Sequence, residues 1–203
     1  MPKLYYQGHG SFRLTANDGT VIYVDPYAGD GYDIPADVIL VSHQHGDHNK
    51  VDLVTLKDGG YIFDNGDAQP RDMPAPCFMT CHHDDGDDIT FEGVEAYNKN
   101  HDKRECVGFI ITLDGIKIYA SGDTSMTEQM KTFADRQLDY AILCGDGVYN
   151  MNSEEAAECA RLIGAKHNIL IHVKPKALFD RDIAEAWDAP NKLIVEHGEE
   201  IEL

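Results

Sequence analysis

The sequence predicts an α/β fold built on mixed sheets. The first half is a run of short β-branched and aromatic segments broken by turn residues, and the second half alternates strand and helix patterns. No linker or low-complexity stretch separates the halves, so one domain over residues 1–203 is expected. In chain order, strands are expected over residues 4–7, 11–14 and 21–24, punctuated by Gly8, Gly10 and the Asn17-Asp18-Gly19 turn. Residues 36–42 read as a strand buried on both faces, because 38–41 are a continuous apolar run. Further strands are expected over 61–63, 77–81, 88–91 and 94–97. Strands over 108–113 and 117–120 flank Asp114-Gly115, a strong hairpin signal.

Residues 125–134 have helical spacing, with Met126, Met130 and Phe133 on one face, and 140–144 form a strand. Asn152-Ser153-Glu154-Glu155 opens a helix with a polar cap and early carboxylates, and Gly164 ends it. A strand over 169–173, a helix over 180–187 and a strand over 193–195 follow. The tail, 199–203, is expected to pair as an edge strand. No sequence repeat is visible.

Composition removes several functional classes. Apolar residues at 42% and charged residues at 26% are globular proportions. With 17 basic and 36 acidic residues the formal charge is −19, which argues against a nucleic-acid partner and against docking on anionic lipid. Two bound divalent cations would cancel about four units of that charge. MPKLYYQGHG lacks the apolar core of a signal peptide, and apolar runs such as 38–41 and 141–144 fall far short of the roughly 20 residues of a membrane span. Cys77, Cys81, Cys106, Cys144 and Cys159 form no C-x-x-C pair, so neither a disulfide framework nor a thiolate zinc knuckle is indicated. A cytoplasmic protein with reduced thiols is expected.

The chemistry concentrates in Ser42-His43-Gln44-His45-Gly46-Asp47-His48, directly after the buried strand. At a strand end, His43 and His45 point to one side, and Gly46 lets the chain turn so that Asp47 and His48 come round. Imidazoles and a carboxylate packed so closely are costly unless something binds them. Other donors stand near predicted strand ends: Asp25 after 21–24, His101 before 108–113, Asp123 after 117–120, and His172 after 169–171. Each alone has a plainer reading, as a turn cap or a satisfied core histidine. His9, in Gly8-His9-Gly10-Ser11, is either a site-lining residue or a turn histidine. His82 and His83 precede an acidic turn and read as a solvated loop.

These motifs, in this order, resemble the metallo-β-lactamase superfamily of metallo-hydrolases, and more closely its L-ascorbate-6-phosphate lactonase-like branch. The residues carrying the resemblance are Gly8-His9-Gly10-Ser11, Asp25-Pro26, H-x-H-x-D-H at 43–48, Ser121-Gly122-Asp123-Thr124, Glu154-Glu155-Ala156-Ala157 and His172. The resemblance implies a four-layer αββα sandwich of two mixed sheets with its site along one edge. It puts His43, His45 and His101 on one metal ion and Asp47, His48 and His172 on another. Asp123 would bridge the two, and Asp25 would orient a ligand histidine through its second ring nitrogen.

Nitrogen and oxygen donors without thiolate favour two zinc ions, with manganese or iron(II) as alternatives. A metal-bridging hydroxide would then attack a small ester, lactone or phosphorylated metabolite. Asp47 would orient it, and the leaving-group acid is either a metal-bound water or His9. Lys103, Arg104, Lys174 and Lys176, beside His101 and His172, are candidates for holding a substrate anion, or else ordinary exposed cations. A phosphodiesterase of the same fold and a non-catalytic metal-binding or sensor protein are the alternatives. The expected partner is a small molecule, with no nucleic acid and no membrane; self-association into a homo-oligomer is left open.

Overall fold

The computed structural model describes residues 1–68, 78–81 and 88–203. Two six-stranded mixed sheets pack face to face. The first runs in the order β12 (Glu200–Glu202), β1 (Lys3–Gly8), β2 (Ser11–Thr15), β3 (Val21–Val24), β4 (Ala36–Val41), β5 (Leu56–Asp64). The second runs β11 (His167–Ile171), β10 (Tyr140–Cys144), β9 (Ile116–Ala120), β8 (Val107–Leu113), β7 (Ile89–Glu95), β6 (Phe78–Cys81). Each sheet has three antiparallel pairings followed by two parallel ones, ending at β3-β4-β5 and β9-β10-β11. The architecture therefore repeats where the sequence shows no repeat.

Alternation along the central strands explains their unbroken apolar runs. Ile22 and Val24 of β3, Val38 and Leu40 of β4, Phe109 and Ile111 of β8 and Ile142 of β10 fill the space between the sheets. The intervening residues face outward and are buried too. Tyr119, Ala141 and Leu143 lie under the helix Ser153–Ile163 and the 3-10 segment Gln129–Arg136, whose Met130 and Phe133 join that layer. Tyr23, Ile39 and Val41 lie under Tyr32, Val51 and Val54. The result is the expected α/β sandwich of two mixed sheets flanked by helices. Its helical cover is heavier on the second sheet.

Local chemistry sets most boundaries as expected. Asn152 caps the helix Ser153–Ile163 by accepting from Glu155 N, and Gly164 ends that helix in the left-handed region. Asp114 and Gly115, with φ 49° and 77°, form the two-residue turn between β8 and β9. The tail pairs with β1 as an edge strand.

Four expectations need correction. Strands expected over 88–91 and 94–97 are the single strand β7, because Gly93 continues the ladder where Ala68 packs too closely for a side chain. The helical spacing over 125–134 becomes 3-10 structure over Gln129–Arg136. Residues 193–195 form no strand; next to β11 there is only a bridge between Asn168 and Lys192. The strand expected over 61–63 extends back through polar residues to Leu56. Cys77, His82, His83 and the acidic turn lie outside the described residues. Among the described residues no helix is long and apolar enough to cross a membrane.

The parallel strands β3, β4, β9, β10 and β11 direct their C-terminal ends to one edge of the sandwich, where the two sheets are joined by backbone bonds. Val107 N donates to Ser42 O at 3.0 Å and His172 N to His9 O at 2.8 Å. Gly122 lies at this edge with φ 58°, and a Cβ there would stand 2.7 Å from Val107 O. Gly122→Ala should therefore cost more than the roughly 1–2 kcal/mol of left-handed strain alone. Gly115→Ala, where nothing lies within 4 Å of the added carbon, should cost only that strain. Urea unfolding midpoints of the two variants test the ordering.

Candidate metal centre

The histidine motif begins where β4 ends, so His43 is buried at the sheet edge while His45 extends into solvent. The chain then turns, with His48 N donating to His45 O at 3.0 Å, and returns His48 to the interior. Gly10 admits it: a Cβ at that position would stand 2.8 Å from His48 Cε1. His101 closes a tight bridge with Asn98 just before β8. Asp123 follows β9, and His172 follows β11. His9, Asp25 and His172 hold left-handed backbone at φ 56°, 47° and 48°, a conformation that side-chain-bearing residues avoid and that gathers at functional sites.

A common pattern runs through the imidazoles. The Nδ1 of each buried ring has an oxygen nearby. His43 Nδ1 is 2.9 Å from Ser42 Oγ, which itself donates to Asp25 at 2.6 Å. His48 Nδ1 donates to Asp25 Oδ2 at 2.9 Å, His101 Nδ1 to Asn98 Oδ1 at 3.0 Å, and His9 Nδ1 to Ala177 O at 3.0 Å. His172 Nδ1 lies 3.2 Å from Asp146 Oδ2. A proton on Nδ1 leaves Nε2 with a bare lone pair, and the Nε2 atoms of His43, His48 and His172 have no hydrogen-bond partner.

Those lone pairs converge on a carboxylate. Asp123 oxygens stand 3.3 Å from His48 Nε2, 3.4 Å from His101 Nε2 and 3.7 Å from His172 Nε2, and Asp123 Oδ1 is itself without a hydrogen-bond partner. Acceptors facing acceptors in a buried site require positive charge between them. This is the fit of a metal centre: the second ring nitrogens stand against oxygens, and the Nε2 atoms facing Asp123 are free to bind a cation.

The ionisation of the site expresses the same demand. Burial opposes charge on His48, yet the carboxylates of Asp123 and Asp25 outweigh it and hold its pKa well above the usual histidine value. Burial likewise opposes charge on Asp123, but His48 and His172 hold it well below the usual carboxylate range. Without a metal, a proton meets the need for a cation. His43 is driven the other way by burial, with His48 adding to the effect and Asp123 opposing it.

The donors form three sets, the atoms within each set lying within 4.8 Å of one another: His43, His45 and His101; His9, Asp47, His48 and His172; and His43, His48 and Asp123. The first two correspond to the expected pair of ligand sets, and the third connects them through Asp123. His9 joins the second group. Its ring centroid is 3.7 Å from that of His172, and its Nε2 is 3.4 Å from Asp47 Oδ2. Asp25 is buried beneath His48 and Ser42, as a residue that orients ligands would be. Cys106 and Cys144 stay protonated, since burial raises both thiols, Cys106 to about 12.

The four candidate cations divide. Lys103 pairs with Glu95 and lies 5.2 Å from the Tyr97 ring, Arg104 forks onto Asp102, and Lys174 lies 3.6 Å from Asp180. Lys176 lines a cleft of about 280 Å³ directly over His45, Asp47, Asp123 and His172. A second cleft, about 610 Å³, opens on the His43, His45 and His101 side beside Gln44, Asn65 and Arg104.

Sequence reasoning missed Asp146, Ser42 and Asn98, which position His172, His43 and His101. Asp146 follows β10 as Asp123 follows β9, so the rule that found Asp123 also points to it. Its Oδ1 accepts from the backbone N–H groups of Val148, Tyr149 and Asn150, and burial, which would raise its pKa, is overcome by these bonds and His172.

Known proteins share this arrangement of sheets. A family described as "Beta-lactamase superfamily domain" matches residues 3–172. A UPF0173 metal-dependent hydrolase of Methanoculleus marisnigri is 28% identical, over 84% of this chain and 80% of that one. Its counterpart from Pyrococcus furiosus is 26% identical over the full length of both. Among solved structures, Igni18, a metallo hydrolase from Ignicoccus hospitalis, superposes with a TM-score of 0.71 at 21% identity, covering 98% of this chain and 97% of that one. The metallo-β-lactamase fold protein YhfI from Bacillus subtilis gives 0.70 at 16% identity over the full length of both. At such identities these two structures speak for the fold. The family match spans most of the sequence, and the chain accordingly belongs to the metallo-β-lactamase superfamily of metal-dependent hydrolases.

Proposed function

We propose that this chain hydrolyses a small ester, lactone or phosphorylated metabolite at a centre of two divalent metal ions. The observation that carries the reading is the ring of bare Nε2 atoms around the Asp123 carboxylate. Relatives named as metal-dependent hydrolases support it. His43, His45 and His101 would hold one ion and Asp47, His48 and His172 the other, with Asp123 between them and His9 beside the second. The nitrogen-rich set favours zinc over manganese or iron(II). When bound, the ions supply Lewis acidity and lower the pKa of a water to about 7.

The protein's own groups do the rest. Asp47 opens to the cleft with 42% of its side chain exposed, so its carboxylate accepts a hydrogen bond from the attacking water and fixes its direction. His9, 3.4 Å away, shares the proton that this water loses, and the pair returns it to the leaving oxygen. Asp25 and Ser42 keep the rings of His48 and His43 from rotating. The acidic surface repels polynucleotides, which supports a small substrate over an RNA or DNA.

Elemental analysis of the purified protein should find about two metals per chain. His45→Ala should abolish metal-dependent turnover without unfolding the protein, because His45 is exposed at a strand end. Fewer than one metal per chain, or undiminished turnover in the variant, refutes the reading. A panel of lactones, aryl esters, phosphate monoesters and cyclic nucleotides separates esterase from phosphodiesterase chemistry. Two bound metals with no turnover of any member would mark a metal-binding protein without catalysis.

Asp25→Asn removes the negative charge beneath His48 while keeping the side-chain shape. It should weaken metal binding by about 10–100-fold. Competition against a chromogenic chelator measures this, and circular dichroism verifies that the fold persists. Stripping the metals from the wild type should lower the melting temperature, since ions that bind the native state alone stabilise it; a chelator titration followed by calorimetry gives the shift.

A further inference from the structure

The buried rings of the two donor sets lean on oxygens that differ in charge. In the set of Asp47, His48 and His172, both rings stand against carboxylates. His48 Nδ1 donates to Asp25 Oδ2 at 2.9 Å, and His172 Nδ1 lies 3.2 Å from Asp146 Oδ2. Both of these acidic side chains are buried. In the set of His43, His45 and His101, the partners are neutral. His43 Nδ1 is 2.9 Å from the Ser42 hydroxyl, His101 Nδ1 donates to the Asn98 amide oxygen at 3.0 Å, and His45 is exposed. Asp25 reaches His43 only at one remove, through the Ser42 hydroxyl.

The donors themselves repeat the contrast. Asp47 brings a carboxylate and His9 a fourth donor to one set, whereas the other is three imidazoles. Asp123 does not discriminate, since its oxygens stand 3.3 Å from His48 Nε2 and 3.4 Å from His101 Nε2. A carboxylate behind an imidazole makes the opposite nitrogen a stronger ligand, and its charge attracts a cation with little screening where water is excluded. A hydroxyl or an amide oxygen orients the ring without adding net charge. Asp146 is itself held in place: its Oδ1 accepts from the backbone N–H groups of Val148, Tyr149 and Asn150, and the Asn150 amide donates to Oδ2 at 3.3 Å.

We infer that the two ion positions are unequal and fill in order. The position of Asp47, His48 and His172 binds first and tightly. The position of His43, His45 and His101 binds second and exchanges its ion with solvent. Asp146, acting through His172, is a positioning residue that creates part of this difference. The inference rests on the two-ion reading above and adds the order of loading. Turnover that needs both ions would then appear only over the metal concentrations that fill the second position.

The test titrates zinc into the metal-free full-length protein in competition with a chromogenic chelator. The wild type should bind in two steps at least about tenfold apart, the scale on which such carboxylates alter metal affinity. His45→Ala, at an exposed position, should abolish the weaker step and leave the tighter one unchanged. Asp146→Asn should weaken the tighter step by about 10–100-fold and leave the weaker one in place. A merely structural role for Asp146 would weaken both steps together, and that result overturns its assignment. Loss of the tighter step in His45→Ala, or two steps of equal affinity in the wild type, overturns the order of loading while a two-ion centre still stands. Less than one zinc per chain at saturation is instead the failure of the metal-centre reading itself.

Discussion

The carboxylate of Asp123 and the ring Nε2 atoms that face it govern the rest of this structure. Each Nδ1 is turned outward onto an oxygen by Ser42, Asp25, Asn98, Asp146 or the Ala177 carbonyl, so the Nε2 lone pairs have only one direction left. Burying that many electron pairs around an anion is stable only if a cation joins them. The left-handed residues at His9, Asp25 and His172, the close approach of His48 to Gly10 and the narrow passage at Gly122 follow from holding this cluster in place.

The fold supplies the cluster by a simple device used twice. In each sheet, three antiparallel pairings lead into two parallel ones, and the parallel strands end together. Asp25 and His43 follow β3 and β4, while Asp123, Asp146 and His172 follow β9, β10 and β11. Each strand is anchored by burial on both faces, so the residue just past its end inherits a fixed position. Rigid scaffolding with chemistry at the strand ends is the general arrangement of α/β sites.

Much of this was legible because burial leaves a pattern. Residues 38–41 of β4 and the whole of β10 are continuous apolar runs, the Asp114-Gly115 turn requires residues that tolerate positive φ, and the dense spacing of His43, His45, Asp47 and His48 has few structural uses. What escaped depended on partners distant in sequence. Gly93 looks like a strand breaker until Ala68 is seen to occupy its side-chain space. The spacing of Met126, Met130 and Phe133 fits a helix, but the chain there winds as 3-10 structure against Tyr119. Residues 193–195 have strand composition, yet only Lys192 bridges to β11's Asn168, while Val195 packs into the core. Asp146 and Asn98 are ordinary loop residues in one dimension and acquire meaning only beside the rings they orient.

The two backbone bonds that join the sheets at their shared edge have a consequence for how the molecule comes together. Ser42 and His9 lie in the first sheet's half of the chain, Val107 and His172 in the second, and each candidate ion position draws donors from both halves. Neither half alone presents a full donor set. An ion held there would bridge the seam like a rivet, so its binding would reinforce the joint between the two sheets.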